Sequence, residues 1–464
     1  MEFLSGVVRV IHFRRSWLVT HLEKEWTMIE IRKPDTKLTK ILPPVSPSPG
    51  ITYIPSRFTL PFEHRGKTYV FNVLTKQCIE GSLPASARAQ EGYDDLIRAQ
   101  FLIPDNRDEC AYYNQISALM RACNRKKGIP GYTILPTFAC NARCIYCYEE
   151  GMKQVTMTPD IVEQTIRFIL DTHEGKKIKI KWFGGEPLLG ERTIDRICEA
   201  LRDAGLEYRS SMISNGSLIT PEIVEKMKND WKLKHIQISM DGAEEDYITR
   251  KHYHASHDYY HKVMQAVSLL SKAGITVIIR CNVDEENWER IPRFLDDLKT
   301  GVTHKDKASV YFCLLNARRM GPDNVTMWTK IRDARHLIEE AGFHPAPFLG
   351  LGLRFRTSHC MADGGSVVIA PDGSLYPCEH CPPKSRFGDI WHGTTDAAAR
   401  KEFCRVDRTR EKCKTCPFLP DCTNFATCPV QETHCREVRE LMAIDALKQM
   451  VDKKEEAGLE IPIC

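Results

Sequence analysis

The 464-residue chain has no apolar run near the roughly 18 residues that a membrane-spanning helix needs. It also lacks an excess of either charge. Lys and Arg number 65 and Asp and Glu 61, a formal net charge of +4. That near-balance excludes a dedicated nucleic-acid binder and an electrostatic membrane anchor. No internal repeat recurs at a fixed period. With 42% hydrophobic and 27% charged residues, a disordered, collagen-like or coiled-coil architecture is excluded as well. Nor does the chain open on a clean signal peptide. The apolar stretch within residues 1–28 is broken by Arg9, Arg14 and Arg15, and no small-residue cleavage site follows. The expectation is a cytoplasmic protein. Residues 1–27 form an uncertain extension, and Met28, which opens the strand-like Met28-Ile29-Glu30-Ile31, is a candidate start.

Cysteine, by contrast, is plentiful, with 19 residues. A chain this long does not need disulfide staples, so in a reducing compartment the count points to soft-metal ligation or redox chemistry. The distribution is uneven. Cys140, Cys144 and Cys147 sit in one short loop, and nine more crowd between Cys360 and Cys435. Between these groups only Cys198, Cys281 and Cys313 occur. The pattern predicts a cluster-binding front, a metal-free middle and a second metal-binding region at the back. Cys78, Cys110, Cys123, Cys198, Cys281, Cys313 and Cys464 read as bystanders.

The middle alternates strand and helix. Strand-like runs occur at 132–136, 178–183, 211–213, 235–239 and 275–279, and helical spacing at 191–203, 260–272 and 286–298. Thr220-Pro221 starts a further helix, with Thr220 as N-cap. This alternation implies a parallel sheet, closed or partly closed, with catalytic groups at the C-terminal strand ends. Ahead of it, residues 28–125 read as a separate mixed α/β domain, with strands near 57–61 and 68–73 joined through Arg65-Gly66, a helix at 93–101 and a Pro-rich arm at 42–50.

Cys140-x3-Cys144-x2-Cys147 carries the chemistry. Three thiolates this close fold one loop around one soft-metal centre, and an iron–sulfur cube with three protein ligands leaves one iron open to a small molecule. Structural zinc requires a fourth ligand, and none follows nearby. The loop comes directly after a strand, and with Tyr148 behind it the motif resembles that of the radical S-adenosylmethionine (radical SAM) superfamily. Three further segments resemble that family in the same order. Gly184-Gly185-Glu186-Pro187 is similar to its GGEP motif, which implies a hold on the cofactor's methionine amino group. Ser214-Asn215-Gly216 is similar to its ribose-contacting segment, and Ser239-Met240-Asp241-Gly242 to its S-x-D-G segment. Arg250 falls where the family often has a carboxylate-binding arginine, but Glu245-Asp246 replaces the usual preceding His-Asp. Each of these alone is also what an ordinary strand-exit turn looks like. The resemblance covers residues 130–320 and implies a partial (β/α)6 TIM-like barrel over 126–345.

The back of the chain adds a second resemblance. Cys360-x12-Gly373-x4-Cys378, with Pro371-Asp372-Gly373 as a turn between two strands, precedes Cys413-x2-Cys416-x5-Cys422, Cys428 and Cys435. This resembles the SPASM extension of radical SAM enzymes, a cysteine-rich iron–sulfur domain with two auxiliary [4Fe–4S] clusters, here over 346–440 and followed by a helix or tail at 441–464. Five residues separate Cys422 from Cys428 where the family has three, which puts Cys428 in doubt. The resemblance assigns Cys360, Cys378 and Cys428 to one cluster and Cys413, Cys416, Cys422 and Cys435 to the other. Two complete cubes take eight ligands. The eighth is Cys381 or Cys404, or one iron stays open for a substrate thiolate. Glu379 stands where the sulfatase-maturating branch has a base, although a surface turn carboxylate is the plainer reading. The histidines at 252, 254, 257 and 261 read as a solvated loop.

Together these resemblances imply a radical SAM/SPASM maturase acting on a ribosomally made precursor peptide. Its cofactors would be S-adenosylmethionine and three [4Fe–4S] clusters, and its electron donor a flavodoxin or ferredoxin. The products would be thioether, carbon–carbon or carbon–oxygen crosslinks, with residues 28–125 recognising the precursor. The alternatives are a maturase forming formylglycine and, from another class, an iron–sulfur electron carrier or regulator.

Overall fold

The structure, a computed structural model, describes residues 26–31, 40–42, 45–89, 91–123, 128–173, 175, 177–255, 258–315, 324–346, 360–362, 364–405, 411–422 and 436–456. The N-terminal part holds seven short strands. These are β1 (Trp26–Ile29), β2 (Thr52–Pro55), β3 (Thr59–His64), β4 (Lys67–Asn72), β5 (Cys78–Gly81), β6 (Ala87–Arg88) and β7 (Leu102–Pro104). They form two antiparallel sheets, ordered β1-β5-β4-β3 and β6-β2-β7, accompanied by helices Asp94–Arg98 and Glu109–Cys123. The turn between β3 and β4 is Arg65-Gly66, with φ of 49° and 75°. Positive φ at both central residues matches the twist of a tight hairpin.

The central sheet is parallel from β8 (Gly131–Ile134) through β9 (Lys177–Trp182), β10 (Glu207–Ser214), β11 (Leu233–Ser239), β12 (Thr276–Val283) and β13 (Ala308–Leu314) to β14 (His344–Pro345). Helices alternate with these strands, as expected for crossover connections. Helix Pro221–Asn229 starts as its sequence predicts, with Thr220 Oγ1 accepting from Ile223 N at 3.3 Å. Two elements differ from their sequence expectation. β10 runs eight residues instead of three, and its five extra residues, Glu207, Tyr208, Arg209, Ser210 and Ser214, form no apolar run that would mark a strand. The helix expected at 286–298 is a 3-10 turn at Trp288–Arg290 followed by Ile291–Gly301. Pro292, with its fixed φ and no N–H, favours a first turn there.

One face of the sheet is apolar. Ile178, Ile180 and Trp182 of β9 and Ile236 and Ile238 of β11 pack with Ile166, Ile194, Ile197 and Val263 from the helices into the main core. By strand alternation, Lys179, Lys181, Arg209, Ser211, His235 and Gln237 point to the opposite, concave face.

The sheet does not close on β8. On its other side β8 pairs in parallel with β15 (Val367–Ile369), and the sheet continues antiparallel through β16 (Ser374–Tyr376), β17 (Gly388–Asp389) and β18 (Gly393–Thr394). This is the α/β fold expected, with a partial barrel in a mixed sheet. The Pro371-Asp372-Gly373 turn joins β15 to β16 as its sequence predicts. Helix Arg436–Glu456 lies against the N-terminal part, where Ala443, Leu447 and Val451 share a core with Leu60, Phe62, Tyr69 and Phe71.

Candidate functional site

The loop bearing Cys140, Cys144 and Cys147 leaves β8 and is gripped by the ends of the following strands. Gly185 N and Glu186 N donate to Thr137 O and Ala139 O at 3.1 and 2.9 Å. The approach is so close that a Cβ at Gly184, where φ is +124°, would stand 2.3 Å from Thr137 O, and one at Gly185 2.3 Å from Ala139 O. Only glycine fits either position. From β10, Asn215 Nδ2 donates to Asn141 Oδ1 at 2.9 Å and lies 3.9 Å from Cys140 Sγ. Asn141 in turn donates to Ser217 Oγ at 2.9 Å. On the third side, Arg143 N and Ile145 N donate to the carbonyls of Lys251, His252 and Arg250, at the end of helix Glu244–Lys251.

Among the described residues, one trio of metal-capable groups has its ligand atoms mutually within 4.8 Å. It is Glu244, Asp258 and His261 at the surface. Burial pushes the Cys140 thiol up to about 12 and raises Cys144 and Cys147 too. Thiolates in that setting need a cationic partner, which iron supplies. Three thiolates on one loop fit an iron–sulfur cluster.

Glu186 is fully buried, and its carboxylate is engaged within the protein. Oε1 accepts from Leu188 N and Ser214 Oγ at 3.2 and 2.8 Å, and Oε2 from Asn215 N at 2.8 Å. It thus ties the Gly-Gly turn to the end of β10, while Pro187 opens the buried 3-10 turn Pro187–Gly190. Burial pushes the Glu186 carboxyl up to about 7.

The end of β11 holds a buried polar network. Asp241, fully buried, accepts from Tyr146 of the cysteine loop, from Asn282 Nδ2 at 2.7 Å and, through its carbonyl, from Asn287 Nδ2 at 2.9 Å. Its charge partner is Lys251 Nζ at 3.2 Å, which also donates to Ser239 Oγ at 2.8 Å and Tyr146 Oη at 2.9 Å. Burial opposes the Lys251 charge most strongly, but Asp241 together with Tyr146, Cys144 and Tyr253 outweighs it and the ammonium is retained. Sequence reasoning missed Lys251. A lysine in the polar run Arg250-Lys251-His252 gives no sign of being 1% exposed.

Arg250 is buried, but its Nη2 donates to Asp284 Oδ1 at 2.5 Å, and its Nη1 finds no partner. On β12 the concave face carries Arg280, whose Nε donates to Asn282 Oδ1 at 2.9 Å. Glu379 lies at the mouth of the partial barrel, 3.2 Å from Lys181 Nζ. Burial pushes its carboxyl up, but Lys181, the turn backbone and His380 win and hold it below the usual range. Beside it, the Tyr148 ring lies against His380, tilted by 35°, with ring centroids 4.0 Å apart.

Of the rear cysteines, Cys360 is exposed and Cys378 and Cys381 are buried. Cys378 shares an apolar cluster with Ala362, Phe403 and Cys404, and Cys404 Sγ lies 3.3 Å from Ala362 O. Cys381 turns into a different cluster, with Leu135, Val368 and Ala370. Cys413, Cys416 and Cys422 sit beside the N-terminal part, where Arg57 donates to Cys413 O at 2.9 Å and Lys76 Nζ pairs with buried Asp421 at 2.8 Å. Cys428 and Cys435 lie outside the described residues. No helix among the described residues is long and apolar enough to cross a membrane.

Residues 134–298 match the family model described as the radical SAM superfamily. Relatives include the AdoMet-dependent heme synthase of Methanosarcina barkeri, 22% identical over 62% of this chain and 88% of that protein. The antilisterial bacteriocin subtilosin biosynthesis protein AlbA of Bacillus subtilis is 22% identical over 62% of this chain and 64% of its own length. Among solved structures, native anSMEcpe with bound AdoMet superposes with a TM-score of 0.56 at 19% identity, covering 71% of this chain and all of that one. The superfamily implies S-adenosylmethionine and a [4Fe–4S] cluster, and the reading as a bare electron carrier gives way to it. Residues 134–298 are a radical SAM domain, and the chain is an enzyme of the class that cleaves S-adenosylmethionine reductively.

Proposed function

We propose that the enzyme is a radical SAM/SPASM maturase that crosslinks a ribosomally made peptide through a thioether, carbon–carbon or carbon–oxygen bond. The carrying observation is the continuation of the barrel sheet through β15 and β16. It brings the turn Cys378-Glu379-His380-Cys381 against the cysteine loop, with His380 on Tyr148 and Glu379 on Lys181. A rear metal region at the barrel mouth suits an enzyme that holds a long substrate between two redox sites. The likeness to AlbA supports the same reading.

In this reading Cys140, Cys144 and Cys147 hold the first cluster. It supplies one-electron cleavage of S-adenosylmethionine to a hydrogen-abstracting 5′-deoxyadenosyl radical. The protein's part is to fix the loop through Gly184, Gly185 and Asn215, to exclude water and to position the substrate. The segments 214–216 and 239–241 line the cofactor side, with Glu186 and Asp241 acting through the residues they tie. Arg250, committed to Asp284, leaves Arg280 as the arginine facing the cofactor. Two auxiliary clusters occupy the rear region, and Cys404, which shares Cys378's cluster, completes the first in preference to Cys381. A flavodoxin or ferredoxin supplies electrons. An edge of an N-terminal sheet binds the precursor by strand addition.

Formation of formylglycine is the second reading. It is favoured by Glu379, a carboxylate held ionised at the mouth. Co-expression with a neighbouring short open reading frame, followed by mass spectrometry, separates the two. A crosslinking maturase removes two hydrogens per crosslink and leaves no aldehyde. A hydrazide-reactive product establishes the second reading instead.

A further inference from the structure

The segment carrying Cys413, Cys416 and Cys422 is seated on the N-terminal part along its length. Phe418 shares a core with Leu60, Phe71 and Cys78, and Cys416 packs against the same core. Leu419 shares another with Phe58 and Tyr113, and Cys110 packs against that one. Lys76 takes Asp421. Arg57 joins the two parts at a single point. Its Nη1 donates to Cys110 Sγ at 2.8 Å and its Nη2 to Cys413 O at 2.9 Å. The Cys110 sulfur and the Cys413 backbone therefore lie on the two prongs of one guanidinium. The start of helix Glu109–Cys123 is fixed in that place. Glu109 accepts from Ser56 Oγ at 2.5 Å and from Arg57 N at 2.8 Å, and Asp108 accepts from Cys110 N at 2.9 Å.

The needs of Arg57 itself are not met. It lies 5.6 Å from the Phe58 ring, but no carboxylate comes within ion-pair distance among the described residues, and its buried Nε finds no partner. A half-buried guanidinium whose partners are a thiol and a carbonyl lacks the anion that would balance its charge. A thiolate bound to iron supplies that anion. Binding releases the thiol proton, and N–H donation to a ligand sulfur then holds and tunes the centre. We propose that Cys110 is a ligand of the rear cluster held by Cys413, Cys416 and Cys422, in the place that the sequence resemblance gives to Cys435. The N-terminal part then closes the metal site itself, and Arg57 is a positioning residue that sets the helix start against Cys413. Cys78 does not qualify, because it is 0% exposed in an apolar core and burial pushes its thiol up to about 12. Cys123 is exposed at the far end of the same helix. Cys110 thus departs from its sequence reading as a bystander. The inference rests on the proposal of two auxiliary clusters and names one ligand. With Cys360, Cys378, Cys404 and Cys428 on the other cluster, both cubes are complete.

The test begins with anaerobically reconstituted full-length enzyme. Alkylation by iodoacetamide is followed by peptide mass spectrometry before and after iron is chelated. Cys110 should react at least about tenfold faster once iron is gone, since a metal-bound thiolate is not free to attack. Cys123 should react equally in both states and Cys78 in neither, which shows that the N-terminal part stays folded. Equal rates at Cys110 overturn the inference. Variants in the Cys140, Cys144 and Cys147→Ala background give a second measurement. There Cys110→Ala should lower iron by about one per chain and leave a three-iron EPR signal. Cys110→Ser should restore a four-iron centre at a shifted potential, and Cys435→Ala should change neither. An unchanged four-iron spectrum in Cys110→Ala overturns the inference, as does a three-iron signal that follows Cys435→Ala instead. A background variant that holds no iron condemns the auxiliary-cluster reading as well, whereas about eight irons indifferent to Cys110 condemn only the present inference.

Discussion

The two cysteine-bearing regions are held in different ways. The Cys140–Cys147 loop is gripped by backbone, with donors from the Gly184-Gly185-Glu186 turn and acceptors at the end of helix Glu244–Lys251. The Cys413–Cys422 segment is held from the N-terminal part by charged side chains, Lys76 on Asp421 and Arg57 on Cys413 O. A backbone cradle is shaped before any metal arrives, since its bonds belong to the barrel itself. A segment held by side chains from residues hundreds of positions away depends on that distant part being folded. The geometry of the front loop is therefore a property of the barrel, and that of the Cys413–Cys422 segment a property of the whole chain.

The largest expected effect sets the two apart by iron content. On the three-cluster proposal, replacing Cys140, Cys144 and Cys147 together with Ala should remove about four irons from a total of about twelve and abolish 5′-deoxyadenosine formation. Iron assay and product chromatography on the reconstituted variant check this. A variant that still makes 5′-deoxyadenosine would break the assignment of the front loop. Next in size is Gly185→Ala. Its Cβ collides with Ala139 O, so the loop must shift. Displacement of that order should lower turnover about 100-fold with the rear iron retained.

Much of this was legible in the sequence, and the exceptions share a cause. The four strand-end motifs, the Thr220 cap and the Arg65-Gly66 and Pro371–Gly373 turns all rest on local chemistry. Helix Glu191–Asp203 has the bounds its spacing predicts. β10 was misjudged because its concave side is polar. Glu207, Arg209 and Ser210 interrupt the apolar run that marks a strand. Lys251 and Arg280 were missed because pairing with Asp241 and placement inside a barrel are set by segments far apart in sequence. The motif reading of Glu186 gave no sign of its bonds to Ser214 and Asn215, which only the packed strand ends reveal.

Buried ion pairs give the next contrast. Lys251→Met leaves Asp241 charged and fully buried, and should cost about 3–5 kcal/mol, measured as a lower denaturant midpoint. Lys76→Met should cost a similar amount, since Lys76 and Asp421 are 4% and 7% exposed. The readouts should differ. Lys251→Met loses front iron, and Lys76→Met loses rear iron first. Equal loss from both regions in either variant would erase the distinction between them.

The smallest effect is pH-dependent. Burial raises the Glu186 carboxyl from an ordinary value near 4.5 to about 7. The folded state therefore binds more protons than the unfolded state between those values. Stability from this group is full below about 4.5 and is lost as pH rises toward 7, on the order of 3 kcal/mol. Metal-free Glu186→Gln protein should show a flatter stability profile over that window than metal-free wild type, by urea titration. Identical slopes would mean that Glu186 keeps its charge through its three donors.

The pairing of β8 with β15 has a consequence for synthesis. Tyr132 finds its partner Val367 more than two hundred residues later. At roughly 5–20 residues per second, the first barrel strand emerges about 10 to 50 s before the strand that covers its outer edge. During that interval β8 offers a row of unsatisfied N–H and C=O groups, the hazard that edge strands carry. Nascent chains stalled before residue 367 should then be captured by chaperones through the 131–134 edge, and release should begin only once β15 has left the ribosome.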